Sequence, residues 1–121
     1  MINTLLRTTP FINNLILRNK TYLPTYEWLT NGNIQKIGLS KDGHEQLGEL
    51  VYIEFNVKKN QKFNESDELV VIESIKAVDS ISAPYDCNIV DINSELIDNL
   101  ENINNDPECE DQSWILKIEK L

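Results

Sequence analysis

Histidine, cysteine, methionine and glycine are all scarce in this chain of 121 residues, and each scarcity closes off a class of function. One histidine, His44, leaves no imidazole pair for acid–base work or for metal coordination. Cys87 and Cys109 are too few and too irregularly placed for a disulfide framework or a metal knot, and both are expected as free thiols. No apolar run approaches the roughly 20 residues that a membrane-spanning helix needs. Lys and Arg number 11 against 20 Asp and Glu, a net charge of −9, and nucleic-acid binding requires the opposite balance. The length points to one domain with one modest core, and a hydrophobic share of 40% is enough to fold it.

Acidic residues are missing from one place altogether. Residues 1–26 hold Arg7, Arg18 and Lys20 and no Asp or Glu, so residues 27–121 carry 8 basic and 20 acidic side chains, a balance of −12. The first segment also sets Thr4, Thr8 and Thr9 among Leu5, Leu6, Phe11, Ile12, Leu15, Ile16 and Leu17. An acid-free, hydroxyl-bearing, amphipathic start reads as an organellar presequence, the alternative being a disordered or packed N-terminal arm. Residues 1–21 are therefore read as presequence or arm, with cleavage near 18–22, and residues 22–121 as the folded domain.

What the chain has in quantity is short extended runs. Ile34–Leu39, Leu50–Val57, Leu69–Ile72, Asn88–Ile92 and Trp114–Ile118 are β-branched or alternating segments at intervals of about ten residues, the pattern of a compact, mainly β fold. Ser40 is placed to cap a short helix over Lys41–Leu47 that Gly48 ends, and Ser94 a second one from Glu95 to about Leu100. Such periodicity does not choose among small sandwiches and barrels. More telling is Glu73-Ser74-Ile75-Lys76-Ala77-Val78-Asp79, which joins the Leu69–Ile72 run to a second extended run ending at the Ala83-Pro84-Tyr85-Asp86 turn. Two strands in such close succession fold back on each other and leave Lys76 at an exposed tip. Carboxylates at Glu73 and Asp79 lie close in sequence, the reverse of a catalytic lysine, which is desolvated or set beside another cation. Lys76 reads as an amine presented for modification.

These residues resemble the lipoylation site of the glycine cleavage system H protein family, whose Glu-Ser-Val-Lys-Ala appears here as Glu73-Ser74-Ile75-Lys76-Ala77. From about Leu23 onward the resemblance runs in order through Tyr26-Glu27-Trp28, Ile37-Gly38-Leu39-Ser40, Gln46-Leu47-Gly48-Glu49, Ser82-Ala83-Pro84, Ile92-Asn93-Ser94-Glu95-Leu96, Asn104-Asn105-Asp106-Pro107 and Trp114-Ile115-Leu116-Lys117-Ile118. Biotinyl carriers are set apart by the methionines that usually flank their lysine, where this chain has Ile75 and Ala77. Lipoyl domains of 2-oxoacid dehydrogenase complexes are set apart by an Asp at the position of Ile75.

The resemblance implies a barrel-sandwich hybrid with two short helices, and lipoate joined covalently to Lys76 by a lipoate ligase or lipoyltransferase. Glu73, Ser74, Ile75, Ala77 and Asp79 would form the recognition motif. It further implies a non-catalytic shuttle that takes the aminomethyl group of glycine from glycine decarboxylase to the aminomethyltransferase, with dihydrolipoamide dehydrogenase reoxidising the dithiol. The other reading of the same resemblance is a relay that supplies lipoyl groups to 2-oxoacid dehydrogenase complexes. The implied home is the mitochondrial matrix or a mitochondrion-related organelle. Glu27 is a further candidate for partner contact, with a solvated surface role as its alternative. The chain departs from the family pattern at Tyr26, usually His, and at Asn60, Ser66, Cys87 and Ser113, where glycines are usual. It also ends at Leu121, where a C-terminal helix is expected.

Overall fold

A computed structural model describes residues 20–121, so the presequence reading falls almost wholly outside the described residues. Among the described residues, nine strands form two sheets. In chain order they are β1 (Lys20–Tyr22), β2 (Glu27–Thr30), β3 (Ile34–Leu39), β4 (Leu50–Phe55), β5 (Lys62–Phe63), β6 (Glu68–Ser74), β7 (Val78–Ser82), β8 (Cys87–Ile92) and β9 (Leu116–Lys120). The larger sheet has the order β1-β2-β3-β9-β8-β5, and the smaller β4-β6-β7; every pairing is antiparallel. Lys20, the first described residue, already lies in the sheet, two residues before the expected domain start. Lys20 is tied there by its amine, which lies 4.7 Å from the centre of the Trp28 ring and donates to the Glu108 carbonyl.

The alternation in the strands builds one core between the sheets. Ile37, Ile89, Leu116 and Ile118 face inward from the larger sheet, and Leu69, Val70, Ile72 and Ile81 from the smaller, all at 1% exposure or less. Each such side chain contributes about 1.5–3 kcal/mol relative to an exposed one. Helix α1 (Lys41–Leu47) forms where expected: the Ser40 hydroxyl accepts from the Gly43 N–H at 3.0 Å, and the Gly48 N–H closes the last turn on the His44 carbonyl at 2.8 Å. Gly48 leaves the helix at φ 89, ψ −170, a conformation nearly closed to residues with a β-carbon.

The second helix forms later than the sequence predicts. Ser94–Ile97 is one turn of 3-10 helix, and α2 covers Glu101–Asn105. Ser94 lies inside the 3-10 turn instead of capping a helix. The preceding Asn93 sends its side-chain amide to the Trp114 carbonyl, 2.7 Å away, and the turn bends toward β4. From α2, Asn104 bridges the Leu50 backbone, accepting from its N–H at 2.8 Å and donating to its carbonyl at 3.1 Å. That side-chain amide stands in for a strand partner at the start of β4. His44 donates through Nε2 to the same Asn104 oxygen at 2.9 Å, a structural role.

Four positions where glycine was expected divide into two kinds. Asn60 and Ser66 have positive φ, 66 and 77, so the backbone there retains a shape that glycine adopts without strain. Cys87 and Ser113 do not. Cys87 is a fully buried strand residue whose thiol pKa is raised by burial, with Asp86 and Asp67 adding to it. Ser113 is fully buried, and its hydroxyl is 2.9 Å from the Asn102 carbonyl and 2.6 Å from that of Asp106. Both cysteines are free thiols. The two kinds respond oppositely to mutation. In urea unfolding, Ser66→Gly is expected to raise stability by about 1 kcal/mol by removing a left-handed side chain. Ser113→Ala is expected to lower it by about 1 kcal/mol by removing the hydrogen bond that the fully buried hydroxyl makes. Equal signs for the two would contradict this division.

Candidate functional site

Strands β6 and β7 pair in register with Glu73 opposite Val78 and Ile72 opposite Asp79, and the four residues between Glu73 and Val78 form the tip. The Ser74 N–H donates to the Ala77 carbonyl at 2.8 Å, closing the hairpin. Its hydroxyl oxygen then receives the Lys76 and Ala77 N–H groups at 3.2 and 3.0 Å. A serine side chain doing the work of a backbone carbonyl is a compact way to turn a chain within four residues. Ser74 is itself only 8% exposed, so this arrangement is sheltered from water. One residue on, the Ile75 N–H donates to the Glu49 carbonyl at 3.2 Å, which ties the tip to the segment between α1 and β4.

Ile75, Lys76, Ala77 and Val78 are all exposed, Ile75 to 73% and Val78 to 68%. Among the described residues Lys76 forms no ion pair with Glu73 or Asp79 and no side-chain hydrogen bond. The carboxylates that flank it in sequence are turned to other uses. Glu73 is half-buried in the sheet between Tyr52 and Val78, and Asp79 accepts the Ser80 N–H at 2.8 Å. The structure therefore brings Ser74, Ile75, Lys76 and Ala77 together as one tip, with Glu73 and Asp79 at its base. The lysine stem leans toward α1: its Cε lies 3.4 Å from where a β-carbon on Gly48 would stand.

A cavity of about 200 Å³ is lined by Thr25 and Glu27 on one side, Gln46 and Leu47 of α1 on another, and Asp79 and Ser80 of β7 on a third. Glu27 is 4% exposed, not a solvated surface carboxylate. One of its oxygens accepts from the Thr25 hydroxyl at 2.5 Å, and the carboxyl also receives its own backbone N–H. Burial pushes the Glu27 carboxyl up to about 7; the Thr25 hydroxyl opposes this and the charge of Asp79 adds to it. A buried carboxyl beside a second carboxylate suits a small cation. Thr25 and Gln46 carry no sequence signal that points to this cavity. Glu27 is marked in the sequence only as a candidate for partner contact, and its burial beside Trp28 comes from the pairing of β2 with β3.

Two stacked sheets, with the Lys76 hairpin uncovered at one end, form a barrel-sandwich hybrid. The family model for the glycine cleavage H-protein matches residues 20–121. A glycine cleavage system H protein from Dinoroseobacter shibae is 37% identical over 98 residues, covering 80% of this chain and 78% of that protein. Another, from Bartonella tribocorum, is 32% identical over 103 residues, covering 84% of each. In fold, the crystal structure of a glycine cleavage system H protein from Mycobacterium marinum is similar with a TM-score of 0.75, at 21% identity and 84% coverage of each chain. The chain belongs to the glycine cleavage H-protein family.

The Glu27 carboxyl gives a pH signature. Its folded value is raised above the unfolded 4.5, so the folded state holds the extra proton, and the associated stability is full below about 4.5 and lost as pH rises through about 7. The loss should be about 1–2 kcal/mol, the worth of such a shift reduced by solvent screening in the open cavity. Glu27→Gln, neutral at every pH, should flatten the decline between pH 5 and 8 in urea unfolding. A native chain equally stable at both pH values would contradict the assignment.

Proposed function

We propose that this chain carries a lipoyl group on Lys76 and shuttles the aminomethyl unit of glycine from glycine decarboxylase to the aminomethyltransferase, with dihydrolipoamide dehydrogenase restoring the carrier. The observation that carries this reading is the exposed, unpaired Lys76 amine on a tip whose backbone is fixed by the Ser74 hydroxyl. The residues present fit the group. The amine is free of side-chain partners among the described residues, and the glycine at position 48 leaves space along the lysine stem.

Lys76 would form the amide bond to lipoate, and Glu73, Ser74, Ile75, Ala77 and Asp79 would present it to a lipoate ligase or lipoyltransferase. When bound, the lipoyl group supplies a reducible disulfide on a long flexible tether. The chain's own residues do the rest. Ser74 sets the direction in which Lys76 leaves the tip. Ile75 and Val78 offer an apolar collar around it, and Glu49 and Glu73 give its base negative charge, suited to basic docking faces on partner enzymes. The lean of the lysine stem supports the Glu27–Asp79 cavity as the place where a cationic amine on the arm is sheltered, with Thr25 holding one oxygen of Glu27 in place.

The acid-free start of the chain supports a mitochondrial or mitochondrion-related home. Cleavage would then have to fall before Lys20 to keep β1 in the sheet.

Exchange of the glycine carboxyl with labelled bicarbonate, reconstituted from the lipoylated chain and glycine decarboxylase, tests the shuttle. Exchange that requires both proteins is expected, and Glu27→Gln should weaken retention of the amine without abolishing lipoylation. A fully lipoylated chain that supports no exchange would remove the shuttle and leave only a relay of lipoate.

A further inference from the structure

Two local costs meet at one point of the barrel. Tyr26 has φ 75, a region disfavoured for any L-residue and rare for a bulky one. Packed against it is Gly43, in the middle of α1, where a glycine weakens the helix. A β-carbon at Gly43 would lie 2.8 Å from the Tyr26 Cβ and 2.9 Å from the Tyr26 carbonyl oxygen, so the helix gives up a side chain to admit Tyr26. The backbone is held from both sides: the Tyr26 N–H donates to the Leu23 carbonyl at 3.0 Å, and its carbonyl accepts from the Ser40 N–H at 2.8 Å. A glycine at position 26 would adopt this shape freely.

What a tyrosine supplies there is a wall. Its side chain, 44% exposed, lines the Glu27–Asp79 cavity and also a separate hollow of about 450 Å³ whose lining includes Lys41 and Glu108. Tyr26 is the one residue that lines both spaces, and the second of them holds Asp42 beside Lys41. An aromatic face beside two carboxylates also attracts a small cation in its own right.

We propose that Tyr26 is a positioning residue, an aromatic partition fixed by its left-handed backbone, which keeps the Glu27–Asp79 cavity closed toward Lys41 and open to the amine of the arm. This rests on the cavity being the shelter for that amine. The test uses the unmodified full chain at pH 8, titrated with methylammonium chloride and followed by the backbone amide signals of Gln46, Asp79 and Ser80, beside thermal unfolding of each variant. The native chain should show saturable shifts, and Glu27→Gln should lose them. Tyr26→Phe, which keeps the ring, should bind within about twofold of the native chain. Tyr26→Gly should bind about fivefold more weakly, the worth of an exposed cation–π contact, while melting no lower than the native chain. Native affinity or a lowered melting point in Tyr26→Gly would overturn the partition and leave the cavity standing, as would a Tyr26→Phe variant as weak as Tyr26→Gly. A native chain that does not bind, or a Glu27→Gln variant that binds as well, removes the cavity reading and the partition with it.

Discussion

The Ser74 hydroxyl is the constraint on which the site depends. A modifiable lysine must be clear of the protein, and a chain clear of the protein usually has no fixed direction. Here two N–H groups of the tip, those of Lys76 and Ala77, converge on one buried oxygen, and a third, that of Ile75, is tied to Glu49. The tip is therefore ordered from beneath, by atoms that leave the outer surface of Lys76 untouched. Hydrogen bonds of this kind contribute only about 1 kcal/mol each, but with the β6–β7 register they fix where the lysine stem begins. Everything the chain does with an arm follows from that origin.

Around the tip, the barrel carries local costs that the rest of the core sustains. A carboxyl is buried at Glu27, a tyrosine is held at positive φ, a glycine stands inside α1, and another leaves that helix in a conformation nearly closed to other residues. All four belong to the segments that meet beside Lys76, and strain of this kind concentrates where function needs a fixed geometry. The stacked Ile, Leu and Val side chains between the two sheets provide the stability against which these costs are set. The larger sheet is stitched to the loop after α2 by the Trp28 indole, which donates to the Pro107 carbonyl at 3.0 Å, and away from the tip positive φ recurs at Asn60 and Ser66 on either side of β5.

Most of the barrel and the tip were legible in the sequence because both rest on local rules. β-Branched or alternating runs located β3, β4, β6, β8 and β9 to within two residues, Ser40 and Gly48 bounded α1, and the Glu73–Asp79 motif fell on the hairpin. What local rules missed was set by contacts distant in sequence. The second helix moved because Asn93 answers to Trp114 and Asn104 to Leu50, neither of which is visible in the Ser94–Leu100 window. Strands β1, β2 and β5 are short, and they exist as strands through their partners more than through their own composition. The replaced glycines at Cys87 and Ser113 looked like turn defects and are buried, with the serine hydrogen-bonded. The cavity was the least legible element, since Thr25, Gln46 and Asp79 converge from three separate segments and only the fold brings their side chains to one space.

The claim underlying all of this is chemical and local: the Lys76 amine is the point of attachment. Intact mass of the full chain after incubation with a lipoate ligase, ATP and lipoate, measured beside Lys76→Arg, addresses it most directly. The native chain should gain the mass of one lipoyl group and Lys76→Arg should gain none. An unchanged native mass, or the same gain in the Lys76→Arg chain, would contradict it.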